Sequence, residues 1–281
     1  MKQSLCTIAS NVEIMPGVNL MWIEAPDIAA TAQPGQFVTV KCGHFILRRP
    51  FSIHQVVIAS QAKQSRVALL FKVIGKGTLW LSQRQEGDRI DVLGPLGKGF
   101  SIPSVIARHE VPRQSRNLLL VAGGIGVAPL VFLLQRASPR HRVILIYGAS
   151  TARELYPFPS LPGEVQIVPV TEDGSRGRKG LASDILPEFL DWADQVYACG
   201  PVGMYKRMAL ILNSSPLKGE EKGEGEKRSN IKCQVLLEVR MGCGMGACYG
   251  CSINTKKGLK KVCHDGPAFE LDDILWAEVK I

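Results

Sequence analysis

The sequence predicts a β domain, then an α/β domain, then a small cysteine-rich module, and three observations carry that prediction. Up to about Gly99 the chain reads as short apolar runs broken by glycine and proline turns. From Asn117 the rhythm becomes strand, glycine turn, helix. Near the C-terminus Cys243, Cys248 and Cys251 crowd together, and Cys263 comes soon after.

In the first stretch, strands are expected at Gln36–Lys41, Val67–Val73 and Asp88–Val92. Pro34-Gly35, Gly75-Lys-Gly77 and Gly94-Pro95 punctuate them as turns. Many short strands joined this way make a sandwich or a barrel. In the second stretch Leu118–Val121 runs into Gly123-Gly-Ile-Gly126 and a helix reaching Arg136. Val143–Tyr147, Val165–Val170 and Gln195–Cys199 are further buried strands, separated by helical stretches such as Gly180–Asp191. Strands alternating with helices imply a parallel sheet. Pro201 suits the first residue of a helix, where its missing N–H costs nothing. The expected divisions are therefore 1–100, 117–212, a linker over 213–230, and a C-terminal module over 231–281.

Three stretches interrupt this pattern. Ser214–Asn230 is charged, glycine-rich and without apolar periodicity, so it reads as a disordered spacer. Ile58–Arg66 and Ile106–Arg116 share an IA…QSR frame ahead of an apolar run, and both read as surface insertions.

Composition narrows the function. Eight cysteines in 281 residues are too few and too unevenly spread for a disulfide scaffold. The expected setting is reducing and cytoplasmic. No apolar run is long enough for a signal peptide or a membrane span, so no membrane association is expected. The net charge is +9, but the basic residues are scattered and aromatics are few. A nucleic-acid partner would call for a concentrated basic footprint.

The cysteine spacing C-x4-C-x2-C, with a later fourth cysteine, is the plant-type pattern of a [2Fe–2S] cluster. A tight loop can aim several thiolates at one cluster only where side chains are small. Gly242, Gly244, Gly246, Ala247 and Gly250 supply that freedom, and their N–H groups can reach the sulfurs. A structural zinc site is the alternative, although zinc ribbons usually pair C-x2-C with C-x2-C. The expected metal ligands are Cys243, Cys248, Cys251 and Cys263.

In Val121-Ala-Gly-Gly-Ile-Gly-Val-Ala-Pro129 a strand ends, glycines admit a ligand close to the backbone, and a helix N-terminus points at anionic phosphate. The run departs from the G-x-G-x-x-G dinucleotide fingerprint, with Pro129 at the third position. No acidic residue ends the next strand, where Gly148-Ala-Ser150 stands instead.

Arg49-Pro50-Phe51-Ser52, together with Gly75-Lys-Gly77-Thr78 and Gly94-Pro-Leu-Gly97 further on, resembles the flavin-binding barrel of ferredoxin-reductase-like proteins. The resemblance implies that Arg49 pairs with the FAD pyrophosphate, a task suited to a guanidinium fork. It places Phe51 and Ser52, after Pro50, at the flavin ring, with Leu70, Phe71 and Lys72 along the cofactor. Gly77 and Thr78 would offer backbone and hydroxyl donors to phosphate. Gly123, Gly124, Gly126 and Pro129 match the family's G-G-x-G-x-A-P nicotinamide motif. Cys199-Gly200-Pro201 matches its second one, where dinucleotide meets flavin. A buried packing cysteine is the other reading of Cys199, and the expected one for Cys6, Cys42 and Cys233.

The order of the three parts narrows the resemblance. Glu238-Val-Arg240-Met241-Gly-Cys243 and Val262-Cys263-His-Asp-Gly266-Pro267-Ala-Phe269 are similar to the electron-transfer subunits of class 1B dihydroorotate dehydrogenases, over nearly the whole chain. This implies FAD, a [2Fe–2S] cluster and NAD(H), coupled to an FMN-containing catalytic subunit of pyrimidine biosynthesis in a two-plus-two heterotetramer. No side chain is needed as a general acid or base, so no catalytic residue is assigned. His44 and His54 are expected at the surface or in packing, and His264 is a weaker alternative ligand. Arg176 and Arg178 suit a 2′-phosphate, so NADP(H) stays open. So does the rival resemblance, to the small subunit of NADPH–ferredoxin oxidoreductases or sulfide dehydrogenases. A zinc-bearing adaptor would make the flavin and nicotinamide motifs coincidences.

Overall fold

The computed structural model describes residues 1–61, 64–102, 116–158, 165–213 and 231–279. The expected spacer at 214–230 and most of the second insertion frame lie outside these residues, as do positions 62 and 63 of the first.

Of the two all-β architectures that the turns allow, the first unit is the barrel. Its strands are β1 (Lys2–Met15), β2 (Val18–Glu24), β3 (Phe37–Lys41), β4 (Arg49–Val57), β5 (Arg66–Lys72) and β6 (Arg89–Leu96). They close in the order β1-β2-β5-β4-β3-β6, each pair antiparallel. Alternation explains the closure. Met21 and Ile23 of β2, Val38 and Val40 of β3 and Leu69 and Phe71 of β5 all point into one buried core. Helix α1 (Pro26–Thr31) adds Ile28 and Ala29 to it.

The Gly75-Lys-Gly77 segment, a plain turn by its sequence, instead opens helix α2 (Lys76–Ser82). Thr78 is the cause. Its hydroxyl accepts the N–H groups of Ile74 and Gly75 at 3.0 and 3.1 Å, capping the helix start.

The second unit is a seven-stranded sheet. Its strands are β7 (Asn117–Gly123), β8 (Arg142–Ala149), β9 (Val165–Thr171), β10 (Arg178–Lys179), β11 (Gln195–Cys199), β12 (Lys232–Leu236) and β15 (Ala268–Glu270), in the order β10-β9-β8-β7-β11-β12-β15. All pairs are parallel except β12 with β15. β7 and β8 are buried on both faces, so they read as continuous apolar runs. Leu118 and Leu120 face the core that holds α3 (Val127–Ala137), while Leu119 and Val121 face the opposite one.

Two details depart from the sequence reading. Gly180–Asp191 is a chain of turns with one short 3-10 segment, Leu186–Phe189. Pro187 removes a backbone donor within it and Gly180 sits at φ +131°, although Ile185, Leu186 and Leu190 still fill the core at helix-like spacing. Helix α4 (Val202–Asn213) starts one residue after Pro201, whose carbonyl accepts the N–H groups of Met204 and Tyr205.

Strand β12, grouped by sequence with the cysteine module, pairs along its whole length with β11. The division at 231 therefore runs through a continuous sheet. Beyond β12 come the cysteine loop, the hairpin of β13 (Ser252–Thr255) and β14 (Gly258–Lys261), and α5 (Val262–Asp265). Barrel and sheet are tied through α3. Phe132 belongs to the barrel core, and His54 of β4 bonds the Ala128 carbonyl at 2.8 Å. His54 is thus a fully buried packing residue, while His44 is exposed.

Candidate functional site

A cavity of about 480 Å³ opens where the barrel meets the sheet. Arg49, Pro50, Phe51 and Ser52 reach it from β4, Leu70, Phe71 and Lys72 from β5, and Thr78 from α2. Cys199 reaches it from the far side, at the end of β11. Gly77 stands against Arg49, and a Cβ there would lie 2.9 Å from the guanidinium Nε. The Thr78 hydroxyl is engaged in capping, accepting from Ile74 and Gly75 and donating to the Gly75 carbonyl. Phe51 and Phe71 meet at a tilt inside the barrel, ring centroids 5.4 Å apart and planes at 55°, and both line the cavity.

A second cleft, of about 560 Å³, lies over the carboxyl ends of the parallel strands. Gly123, Gly124 and Gly126 line one side, Gly200 and Pro201 the other. The two turns are in contact. A Cβ on Gly126 would lie 2.1 Å from the Cys199 carbonyl oxygen, and one on Gly123 2.7 Å from Pro201 Cδ. Their glycines therefore serve close approach of backbone to backbone as well as to a ligand. Tyr205 locks the arrangement by accepting the Gly200 N–H at 2.8 Å and donating to the Leu236 carbonyl at 2.6 Å. Pro129 lines neither cavity. It is buried in the first turn of α3, where it costs no hydrogen bond.

Lys72, Ile125 and Glu238 line both spaces, so the two open into each other. Protein packed around the Glu238 carboxyl raises its pKa, yet its face toward the cavities stays open. Burial, then the nearby Glu238 charge, pushes the Cys199 thiol well above its ordinary range, so it stands as a neutral, packed group. Sequence reasoning assigned no cofactor-binding role to Ile125, Glu238, Arg240 or Met241, all of which line the flavin-side cavity. The signal for the last three was present in the Glu-x-Arg-Met entry to the cysteine loop. No local pattern marks Ile125.

The four predicted cysteine ligands gather in two pairs. Cys251 and Cys263, both buried, have their sulfurs 3.2 Å apart. Cys243 and the exposed Cys248 are joined by the Cys243 N–H on Cys248 Sγ at 3.4 Å. Among the described residues no three His, Cys, Asp or Glu side chains gather around one ion. Two pairs are what two irons with two thiolates each require, and a single tetrahedral zinc would draw all four together.

The backbone around these sulfurs fits an anionic cluster. Met245 and Ala247 N–H groups reach Cys243 Sγ at 3.5 and 3.3 Å, Gly246 reaches Cys263 Sγ at 3.1 Å, and the Cys263 N–H reaches Cys251 Sγ at 3.5 Å. Gly244 at φ +72° and Gly246 at φ +89° make that inward turn of N–H groups possible. Burial opposes ionisation of Cys243, but these donors outweigh it and bring the thiol down to about 6. His264 turns its Nδ1 to Asp265 at 3.2 Å, and four cysteines are already assembled.

A family model for the iron–sulfur cluster binding domain of dihydroorotate dehydrogenase B matches residues 238–275. The electron transfer subunit of dihydroorotate dehydrogenase B (NAD(+)) from Desulforamulus reducens is 38% identical, over 94% of each chain. Its counterpart from Fusobacterium nucleatum is 31% identical over 98% of this chain and 99% of its own. Among solved structures, NADH-dependent reduced ferredoxin-NADP oxidoreductase, studied for flavin-based electron bifurcation, superposes with a TM-score of 0.78. It is 27% identical, over 98% of this chain and 91% of that one. A ferredoxin NADP+ reductase from Neisseria gonorrhoeae, with bound FAD and NADP, shares the fold at a TM-score of 0.59 and 18% identity, over 84% of this chain and 99% of its own. Barrel, parallel sheet, paired cysteines and near full-length similarity agree: the chain belongs to the family of dihydroorotate dehydrogenase B electron transfer subunits.

Proposed function

We propose that this chain carries electrons between a dihydroorotate dehydrogenase catalytic subunit and NAD(H), in the cytoplasm and in pyrimidine biosynthesis. The observation that carries the reading is the continuity of the three sites. The flavin-side cavity and the sheet cleft meet at Lys72, Ile125 and Glu238, and Glu238 begins the segment that enters the cysteine loop at Cys243.

FAD, when bound, exchanges a hydride with nicotinamide and single electrons with the cluster. The chain's own residues supply position and electrostatics. Arg49, beside Gly77 and Thr78, holds the pyrophosphate, while Pro50, Phe51, Ser52 and the β5 residues Leu70, Phe71 and Lys72 hold the ring system. Gly123, Gly124 and Gly126 admit the dinucleotide phosphates, with Pro129 in the first turn of the helix behind them. Gly200 and Pro201 place the nicotinamide half, and the neutral Cys199 closes the far side of the flavin-side cavity without adding charge. Cys243, Cys248, Cys251 and Cys263 hold the cluster. The exposure of Cys248, Met245 and Tyr249 leaves this pole open to a covering protein. That protein is the FMN-bearing catalytic subunit, in a two-plus-two assembly, and electrons arrive from it and leave as NADH.

Chemical analysis of protein prepared without oxygen tests the cofactor assignment. One FAD with about two irons and two acid-labile sulfides per chain supports it, whereas zinc without iron or sulfide overturns it. The 27% identity to an NADH-dependent ferredoxin-NADP oxidoreductase favours a second reading, a subunit serving ferredoxin and NADP(H). Co-purification with a ferredoxin-reducing partner, rather than a dihydroorotate-oxidising one, would select it.

A further inference from the structure

We propose that Glu172 makes the cleft accept the free adenosine ribose of NAD(H) and reject the 2′-phosphate of NADP(H). The proposal rests on reading the cleft as the nicotinamide-dinucleotide site.

The order of strands fixes which half of the dinucleotide lies where. The Gly123–Gly126 turn comes directly after β7, and β11 beside it ends in Cys199, which also faces the flavin-side cavity. The nicotinamide half therefore lies over β11. A dinucleotide with its phosphates at the glycine turn must send its adenosine half the other way, over β8 and β9. Glu172 is the first residue after β9 and lines the cleft there.

Its position is built by the neighbouring strand. The Glu172 N–H bonds the Ala149 carbonyl at 3.1 Å, and the Asp173 N–H bonds the Ser150 carbonyl at 3.3 Å. The Ser150 hydroxyl then donates to Glu172 Oε1 at 3.1 Å. One carboxylate oxygen is thus held by serine, and the other can accept from a ribose hydroxyl. In dinucleotide-binding sheets an acid at the end of the second strand does this work. Here Ser150 occupies that place and orients an acid from the third strand.

The nearby cations are otherwise engaged. Of those lining the cleft, Lys72 stands 3.9 Å from Glu154 and Arg207 2.9 Å from Asp184. Arg178, one of two arginines that the sequence offers to a 2′-phosphate, is paired with Glu188 at 2.5 Å. Among the described residues, Arg176, Arg178 and Lys179 lie outside the lining of the cleft. A 2′-phosphate would meet the Glu172 carboxylate and be repelled, like charge by like.

The test titrates the flavin- and cluster-loaded complex with ADP-ribose and with its 2′-phosphorylated form, by calorimetry, so that no turnover is needed. Wild type is expected to hold ADP-ribose at least tenfold more tightly. Glu172→Gln, at an exposed position where folding is not in question, should bring the two within about threefold. Glu172→Asp should keep the preference. A ratio unchanged in Glu172→Gln, or a wild type favouring the phosphorylated probe, overturns the proposal while leaving the cleft a nucleotide site. Binding of neither probe to wild type overturns the cleft reading itself, and the proposal with it.

Discussion

Replacing Gly126 with alanine probes whether the two nicotinamide-side turns must touch. The added Cβ would lie 2.1 Å from the Cys199 carbonyl oxygen, 2.5 Å from its carbon and 2.8 Å from the Gly200 nitrogen. All three are backbone atoms, so no change of rotamer relieves the overlap. Either the start of α3 or the β11–α4 turn has to move. Overpacking costs about 1–3 kcal/mol, and a clash with backbone belongs at the upper end, near ~3 kcal/mol. For a chain of this size that lowers Tm by about 6–12 °C. The same displacement separates Gly126 from Gly200 across the cleft, so NADH affinity should fall about tenfold, or ~1.4 kcal/mol. Thermal melts and nucleotide titration of the holoprotein measure both effects. Gly203→Ala is the stability control, because its Cβ would meet nothing within 4 Å. A Gly126→Ala protein that melts with wild type and binds NADH equally well would refute the packing argument.

Three further outcomes are expected. Cys248→Ser should abolish the cluster's visible and paramagnetic signals while FAD stays bound, because none of the four cysteines lines the barrel cavity; loss of both together would count against separate sites. Arg49→Ala should weaken FAD retention by roughly 10- to 150-fold, the range of ~1.5–3 kcal/mol for a hydrogen bond to a charged group, and flavin release on dilution measures it. Arg49→Lys should recover only part of the loss, since an ammonium lacks the planar fork. His54 carries the pH dependence. Burial lowers its pKa from 6.5 to about 4, so the unfolded chain takes up the proton first as pH falls. Stability is full above about pH 6.5 and declines toward pH 4, by roughly 3 kcal/mol. A series of melts across that window should show the decline flattened in His54→Gln, and an unchanged acid limb would show that other groups set it.

Legibility in the sequence tracked the range of the interactions involved. Strands such as Gln195–Cys199 and the β7–glycine turn–α3 passage were readable because period and turn chemistry are local. The cysteine loop was readable because Cys243, Cys248 and Cys251 lie close together in sequence, whereas their pairing was not, since Cys263 reaches Cys251 only across the β13–β14 hairpin. Gly180–Asp191 misled because Ile185, Leu186 and Leu190 keep helix-like spacing while Pro187 breaks the backbone ladder. β12 was assigned to the wrong neighbour because its partner, β11, lies on the far side of residues 214–230 in sequence. Glu172 was missed for a related reason. The expected acid was sought at the end of β8, and only the parallel register of β8 and β9 brings Ser150 and Glu172 together. Pro129, matched by motif, supports the helix rather than the cleft.

Whether this chain couples dihydroorotate oxidation to NAD is tested most directly by rapid mixing of its oxygen-free complex with the catalytic subunit from the same genome. Dihydroorotate should bleach the FAD held by this chain, and added NAD+ should restore it as NADH appears. In a Cys248→Ser complex that retains FAD, the catalytic subunit's flavin should be reduced while NADH formation stops. A wild-type complex that never assembles, or one in which dihydroorotate reduces the catalytic subunit yet leaves this FAD oxidised, would contradict the assignment.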